Sequence, residues 1–176
     1  MAAMEHLADS GKVRFIGVSN FSICDLKKAR EAMTKHKIVS NQVRYNLVDR
    51  TAEFGLLEYC QQQNITVIAH SPLATDFSII NAKDRERVIE RLARAKSKAP
   101  AQIALNWCIS KQGVVTIPKA NSVEHVKENC AASDFQLSPE ELTLLDQKVE
   151  YRRRRGVEIC FRRIARQCLQ YLGKNQ

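Results

Sequence analysis

Two rhythms alternate along this chain. Short strand-like runs occur at residues 14–18, 38–46, 65–73 and 114–120. Between them, apolar residues recur every three or four positions, the spacing of amphipathic helices. Leu26, Ala29 and Met33 give one helix over residues 23–35, opened by Ser22 with Asp25 three positions on, the spacing of a capping box. Leu56, Leu57 and Cys60 share a side of a short helix within "EFGLLEYCQQQN". Two further helices are predicted over residues 83–96 and 100–110, the second with Pro100 in its first turn. Ser122 caps a helix running to about residue 131, and Ser138, Pro139 and Glu141 open the helix of "LSPEELTLLDQKV". Strands alternating with helices imply βαβ units and a parallel sheet. The near-continuous apolar character of the strands suits a sheet covered on both faces.

Composition narrows this picture without changing it. The chain has 176 residues, 44% apolar and 27% charged, an ordinary globular mixture. It carries no apolar run long enough to span a bilayer. The opening "MAAMEHLADSGK" has neither the basic start nor the apolar middle of a secretory signal. Six scattered cysteines form no Cys-x-x-Cys pair and no metal-ligand spacing with histidine. Reduced, buried thiols in a cytoplasmic protein, with no metal, are therefore expected. Charge is uneven. Of the net +9, residues 151–176 hold +7, leaving +2 for residues 1–150 and no case for a nucleic-acid-binding body. Two regions follow: a body of residues 1–150 and a basic tail of residues 151–176.

The strand ends carry the chemistry. Ser19 and Asn20 close the first, Asn41 and Gln42 lie in the second, and His70, Ser71 and Pro72 close the third. Lys119 closes the fourth, just ahead of a helix. Ligands of parallel α/β folds gather at the carboxyl ends of the strands. A lysine before a helix N-terminus adds a cation to exposed N–H groups and a favourable dipole, a setting for an anion. Glu128 and Asn129 on that helix can reach an amino group or a ring nitrogen.

The segments "GKVRFIGVSNF", "NQVRYN", "IAHSPL", "IPKANSVEHVKEN" and "DFQLSPEEL", in this order and spacing, resemble the aldo-keto reductase family over residues 4–150. The resemblance implies the C-terminal half of a TIM-type (β/α)8 barrel, its fifth to eighth strands, on the NADP-binding side. It implies that Ser19, Asn20 and Gln42 hydrogen-bond the nicotinamide carboxamide, and that His70 takes the place of a tyrosine stacked on the nicotinamide. Ser71 and Leu73 match contacts to the pyrophosphate. Lys119, Ala120, Asn121 and His125 match the pocket for the adenosine 2′-phosphate, and Glu128 and Asn129 match adenine contacts. The cofactor implied is NADP(H), with NAD(H) the other candidate. Ala120 stands where serine is common and His125 where an arginine often clamps the phosphate, so a fixed, forked charge is missing.

The resemblance also implies what to look for and not find. The family's Asp/Tyr/Lys/His tetrad belongs to the first four strands, and the tyrosines and histidines here do not occupy its motif positions, so no catalytic residue is assigned. A half barrel leaves two open edges and an uncovered inner face. The expected partners are therefore a second copy or an N-terminal half-barrel, and a truncated gene product is a third origin for such a chain. The implied function is an oxidoreductase that interconverts carbonyls and alcohols only when the tetrad is supplied. The alternative is an inactive cofactor-binding or interaction module using the tail. In that tail Val157, Cys160, Phe161, Ile164, Cys168, Tyr171 and Leu172 recur at helical spacing among arginines, a basic amphipathic helix. Docking on the body, covering the open face, adhesion to an acidic membrane or nucleic acid, and localisation through the arginine run 152–155 are all open to it.

Overall fold

The structure is a computed structural model and describes residues 1–153. The tail helix read above lies outside the described residues. Within them the order is α1 (Ala2–Asp9), β1 (Ile16–Ser19), α2 (Ile23–Glu31), β2 (Ile38–Arg44), α3 (Leu56–Gln62), β3 (Thr66–His70), α4 (Phe77–Asn81), α5 (Val88–Lys96), α6 (Pro100–Ile109), β4 (Val114–Ile117), α7 (Val123–Cys130) and α8 (Pro139–Lys148). The strands form one sheet in the order β1-β2-β3-β4, with every pairing parallel.

Local chemistry sets most helix starts. Ser22 and Ser138 form capping boxes with Asp25 and Glu141, and Ser122 accepts the His125 N–H. Tertiary contacts set several ends. α2 stops at Glu31 because the Glu5 carboxylate of α1 takes the N–H groups of Thr34, Lys35 and His36, at 2.8, 2.8 and 3.2 Å. The same contacts hold the Glu5 carboxyl below its ordinary range. α1 itself carries no side-chain cap and little sequence signal.

The helix expected over residues 83–96 begins only at Val88. Arg87 is left-handed at φ 52°, and the buried Asp84 carboxylate accepts from the N–H groups of Val88 and Ile89, both at 2.8 Å. A short extra helix, α4, is capped by Asp76 through the Ser78 N–H. The strands are shorter than their apolar runs. β3 ends at His70 because Ser71 turns left-handed at φ 50°. β4 ends before Pro118, which disfavours continuing regular pairing.

Among the described residues, the sheet is covered on one face. Asn41, Val43, Val67, Ala69 and Val114 are buried under the helices, where Leu26, Tyr45, Trp107 and Leu145 complete the core. The opposite face bears three rows set by the register: Gly17, Ser40 and Thr66; Ser19, Gln42, Ile68 and Val115; Arg44, His70 and Ile117. Val115 and Ile117 are exposed there, as is Phe15 beside β1. The apolar runs read as two-sided burial because Ile68, Val115 and Ile117 point to the open side. Among the described residues the thiols divide too: Cys60 and Cys108 are buried, Cys24 and Cys130 are exposed on helix surfaces, and these four are free.

Candidate cofactor site

Two groups of polar residues stand at the carboxyl ends of the strands. At the first, β1 closes on a small hydrogen-bonded knot. The Ser19 hydroxyl donates to the Gln42 carbonyl at 3.1 Å, and the Asn20 N–H donates to that oxygen at 2.8 Å. The Asn20 side-chain amide donates to the Ser19 hydroxyl at 3.0 Å. Asn20 is left-handed at φ 58°, a conformation asparagine tolerates better than most residues. Asn41, fully buried behind the turn, clamps it through both Phe21 backbone groups, accepting the N–H at 3.3 Å and donating to the carbonyl at 2.9 Å.

One row up the same face, the His70 ring Nδ1 lies 3.2 Å from the Ser71 hydroxyl. Gln42 and His70 therefore share the open face of adjacent strands, separated by one register row. The Gln42 side-chain amide makes no hydrogen bond among the described residues.

The second group encloses a cavity of about 390 Å³ between α4, the start of α6, and α7. Leu73, Lys119, His125, Glu128 and Asn129 line it. Ala120 and Asn121 bridge Lys119 to the Ser122 cap and are not part of the lining. Phe77, Asn81 and Ala99–Ala101 complete the wall and were not legible in the sequence. Their one signal was the Pro100 helix start, while α4 gave no periodicity to find. α7 is tied to α6 by Gln102, whose amide donates to the Glu128 carbonyl at 2.9 Å. Lys119 makes no ion pair among the described residues. Glu124, in the first turn of α7, has its carboxyl held below the usual range by backbone N–H and the Ser122 hydroxyl.

The arrangement can hold an extended, anionic ligand: amide and hydroxyl groups at one end, an aromatic ring between, and a cation-bearing cavity at the other. The Tyr45 phenol is not part of it. Tyr45 is fully buried on the helix side, bonded to Glu53 at 2.6 Å, and burial pushes its phenol far above the ordinary value. Cys60 is likewise raised by burial, to about 11. Among the described residues, no cluster of His, Cys, Asp and Glu is placed to hold a metal, and no helix is long and apolar enough to cross a membrane.

The model of the "Aldo/keto reductase family" matches residues 1–150. Methylglyoxal reductase YeaE of Escherichia coli (strain K12) is 40% identical over 146 residues, 83% of this chain and 51% of the relative. Among solved structures, an aldo/keto reductase from Klebsiella pneumoniae in complex with NADP and acetate superposes with a TM-score of 0.78 at 38% identity, over 88% of this chain and 55% of that one. The aldose reductase of Schistosoma japonicum gives 0.72 at 26% identity, over 89% and 48%. The chain spans about half the length of the curated relatives it matches.

Proposed function

The chain belongs to the aldo/keto reductase family, and from that premise we propose that it binds NADP(H) along the carboxyl ends of its four strands. The observation that carries this reading is the cavity lined by Lys119, His125, Glu128 and Asn129, reached through Leu73 from the His70–Ser71 end of β3. Ser19, Asn20 and Gln42 bind the nicotinamide carboxamide, whose amide needs both donors and acceptors. His70 offers a flat ring for stacking, and Ser71 a hydroxyl beside it for the pyrophosphate. Lys119, with Ala120 and Asn121 leading into the Ser122-capped helix, receives the 2′-phosphate, and Glu128 and Asn129 meet the adenine. When bound, this cofactor supplies a hydride equivalent for carbonyl–alcohol interconversion. NAD(H) is the weaker ligand.

Residues 1–150 act as the cofactor-binding half barrel, and residues 151–176 are a separate basic tail. Proton delivery to a developing alkoxide falls to a tetrad on a complementary half, because the buried Tyr45 cannot provide it. Among the described residues the sheet has an open face and β1 and β4 form its edges, which supports pairing with an N-terminal half-barrel or a second copy. The cytoplasm is the compartment that suits the four free thiols among the described residues. The buried tyrosine also supports a second reading, a cofactor-binding module without catalysis.

Titration calorimetry of the full chain tests the binding. NADPH is expected to bind in the micromolar range, about −8 kcal/mol, and Lys119→Ala to weaken it. Failure of NADPH and NADH alike to bind would overturn the reading. Adding a separately produced N-terminal half from a relative then divides the two functions: carbonyl-dependent NADPH oxidation supports the enzyme, and tight assembly without turnover supports the module.

A further inference from the structure

The three rows of the open sheet face carry one permanent charge, the guanidinium of Arg44. Arg44 lies one row beyond Gln42, toward the carboxyl end of β2, and is the direct register partner of His70. Its side chain is 31% exposed, and its Nε lies 3.6 Å from Asp49 Oδ2. That separation makes an ion pair but is too long for a hydrogen bond, and the buried Nε makes none among the described residues. Asp49 is buried and stands between two guanidiniums, since Arg152 Nη2 approaches the same oxygen at 3.8 Å. Two cations thus share one carboxylate. The corner is held from three sides. Asn46 accepts the N–H groups of Val48 and Asp49 at 3.1 and 2.8 Å and donates to the Ser71 carbonyl at 2.9 Å, which ties this loop to the end of β3 beside His70. The Thr51 hydroxyl donates to Asp49 Oδ1 at 2.8 Å. The Arg152 N–H donates to the Val48 carbonyl at 3.1 Å.

We infer that Arg44, with Arg152 on the other side of Asp49, anchors the carboxylate of a carbonyl substrate, so that the chain favours oxo acids over uncharged carbonyls. The inference rests on the dinucleotide reading given above, in which the nicotinamide lies against His70. A carbonyl placed on that ring has Arg44 as its neighbour on the adjacent strand, on the order of 5 Å away across the sheet. A linker of about two or three carbons between carbonyl and carboxylate spans that distance. The fork of a guanidinium matches a planar carboxylate, and such a pair is stronger than a neutral hydrogen bond. A purely structural ion pair would need one arginine for Asp49; the second leaves the corner with one positive charge in excess. The corner is also separate from the cavity at Lys119, because it stands after β2 and Lys119 follows β4.

The test is calorimetric titration of the full chain, saturated with NADP+, with levulinate, with its uncharged counterpart acetonylacetone, and with dihydroxyacetone phosphate. Levulinate should bind about tenfold more tightly than acetonylacetone, the worth of one charge-assisted hydrogen bond at a partly exposed site. Arg44→Gln should abolish that preference, and Arg44→Lys should keep only part of it, because an ammonium lacks the fork. Arg152→Gln, at a more exposed position, should reduce it about two- to threefold. The wild-type comparison needs no variant, so it decides the matter even where Arg44→Gln does not fold. Equal affinity for levulinate and acetonylacetone while NADP+ binds, or a preference that survives Arg44→Gln in a folded chain, overturns the inference and leaves the dinucleotide reading standing. Tighter binding of dihydroxyacetone phosphate than of levulinate overturns the assignment to a carboxylate. Failure of the wild type to bind any dinucleotide overturns the site reading and this inference together.

Discussion

The two faces of the four-stranded sheet are built from alternate residues of the same strands, yet they follow opposite rules. On the helix side, Asn41, Val43, Val67, Ala69 and Val114 are buried, and Asn41, the one polar residue among them, is hydrogen-bonded through both ends of its amide. That is the pattern required where water is absent. On the open side, Ser19, Gln42, Arg44 and His70 stand in register beside Ile68, Val115 and Ile117. The Gln42 amide is unspent there, and Val115 and Ile117 keep nearly half their surface exposed, at 46% and 47%. The covered face holds the fold; the open face carries the candidate chemistry and the surface that a complementary half would bury. A residue's cost to stability and its cost to binding should therefore separate by face.

The contrast breaks hardest at Arg50. Its guanidinium is 2% exposed, bonded to the Leu47 and Leu145 carbonyls and paired with Asp146 at 2.9 Å. It is also stacked between Trp107 and Tyr151, 4.6 and 4.5 Å from the ring centroids. Arg50→Ala should lower stability by about 3–5 kcal/mol, read from urea unfolding, because it strands buried acceptors and removes one partner of an ion pair. A loss under about 1 kcal/mol would show that the helix-side network is dispensable.

Asn41→Ala comes next. It leaves both Phe21 backbone groups without their partner and frees the turn that presents Asn20. A loss of about 1–3 kcal/mol is expected, together with weaker NADP+ binding from a residue that faces away from the ligand. Unchanged binding in a folded variant would uncouple the clamp from the site.

Gly17→Ala sharpens the comparison on the open face itself. A Cβ there would lie 2.4 Å from the Ser40 hydroxyl oxygen, so crowding should cost about 1 kcal/mol. Adding Ser40→Ala removes that oxygen and should recover most of the loss in chemical denaturation. An additive double variant would place the strain elsewhere.

The smallest stability effect belongs to Gln42→Ala, within about 0.5 kcal/mol for a half-exposed side chain that makes no hydrogen bond among the described residues. NADP+ affinity should nonetheless fall about five- to tenfold, the worth of one good hydrogen bond. Calorimetry showing lost stability with intact binding would invert the assignment of faces.

Much of this was legible in the chain. Ser22, Ser122 and Ser138 announced three helices because a cap is a contact between residues three apart. The parallel, half-barrel order followed from the alternation of elements and from the resemblance carried by five segments in order. Lys119, His125, Glu128 and Asn129 were identifiable because one short segment contains them all. The opposite wall was not: Phe77, Asn81 and Ala99–Ala101 reach the cavity only through packing of α4 and α6, and neither element declares its neighbours. The boundary at Arg87 and the early end of α2 escaped for the same reason, since Asp84 and Glu5 act on backbone groups that local spacing does not reveal. The cysteines misled in the other direction, because a thiol on a helix carries no mark of which side it faces.

The sequence alone determined the four strands and most of the helices between them, where three helices begin, and that Ser19 and His70 stand at the ends of β1 and β3, because these depend on contacts a few positions apart. Tertiary structure decided which face of each strand meets the helices, where α2 and α5 are cut, and which residues close the wall around Lys119 and His125. Those outcomes depend on groups brought together from distant parts of the chain, where the cost of burying an unpaired donor or acceptor selects one arrangement over the others.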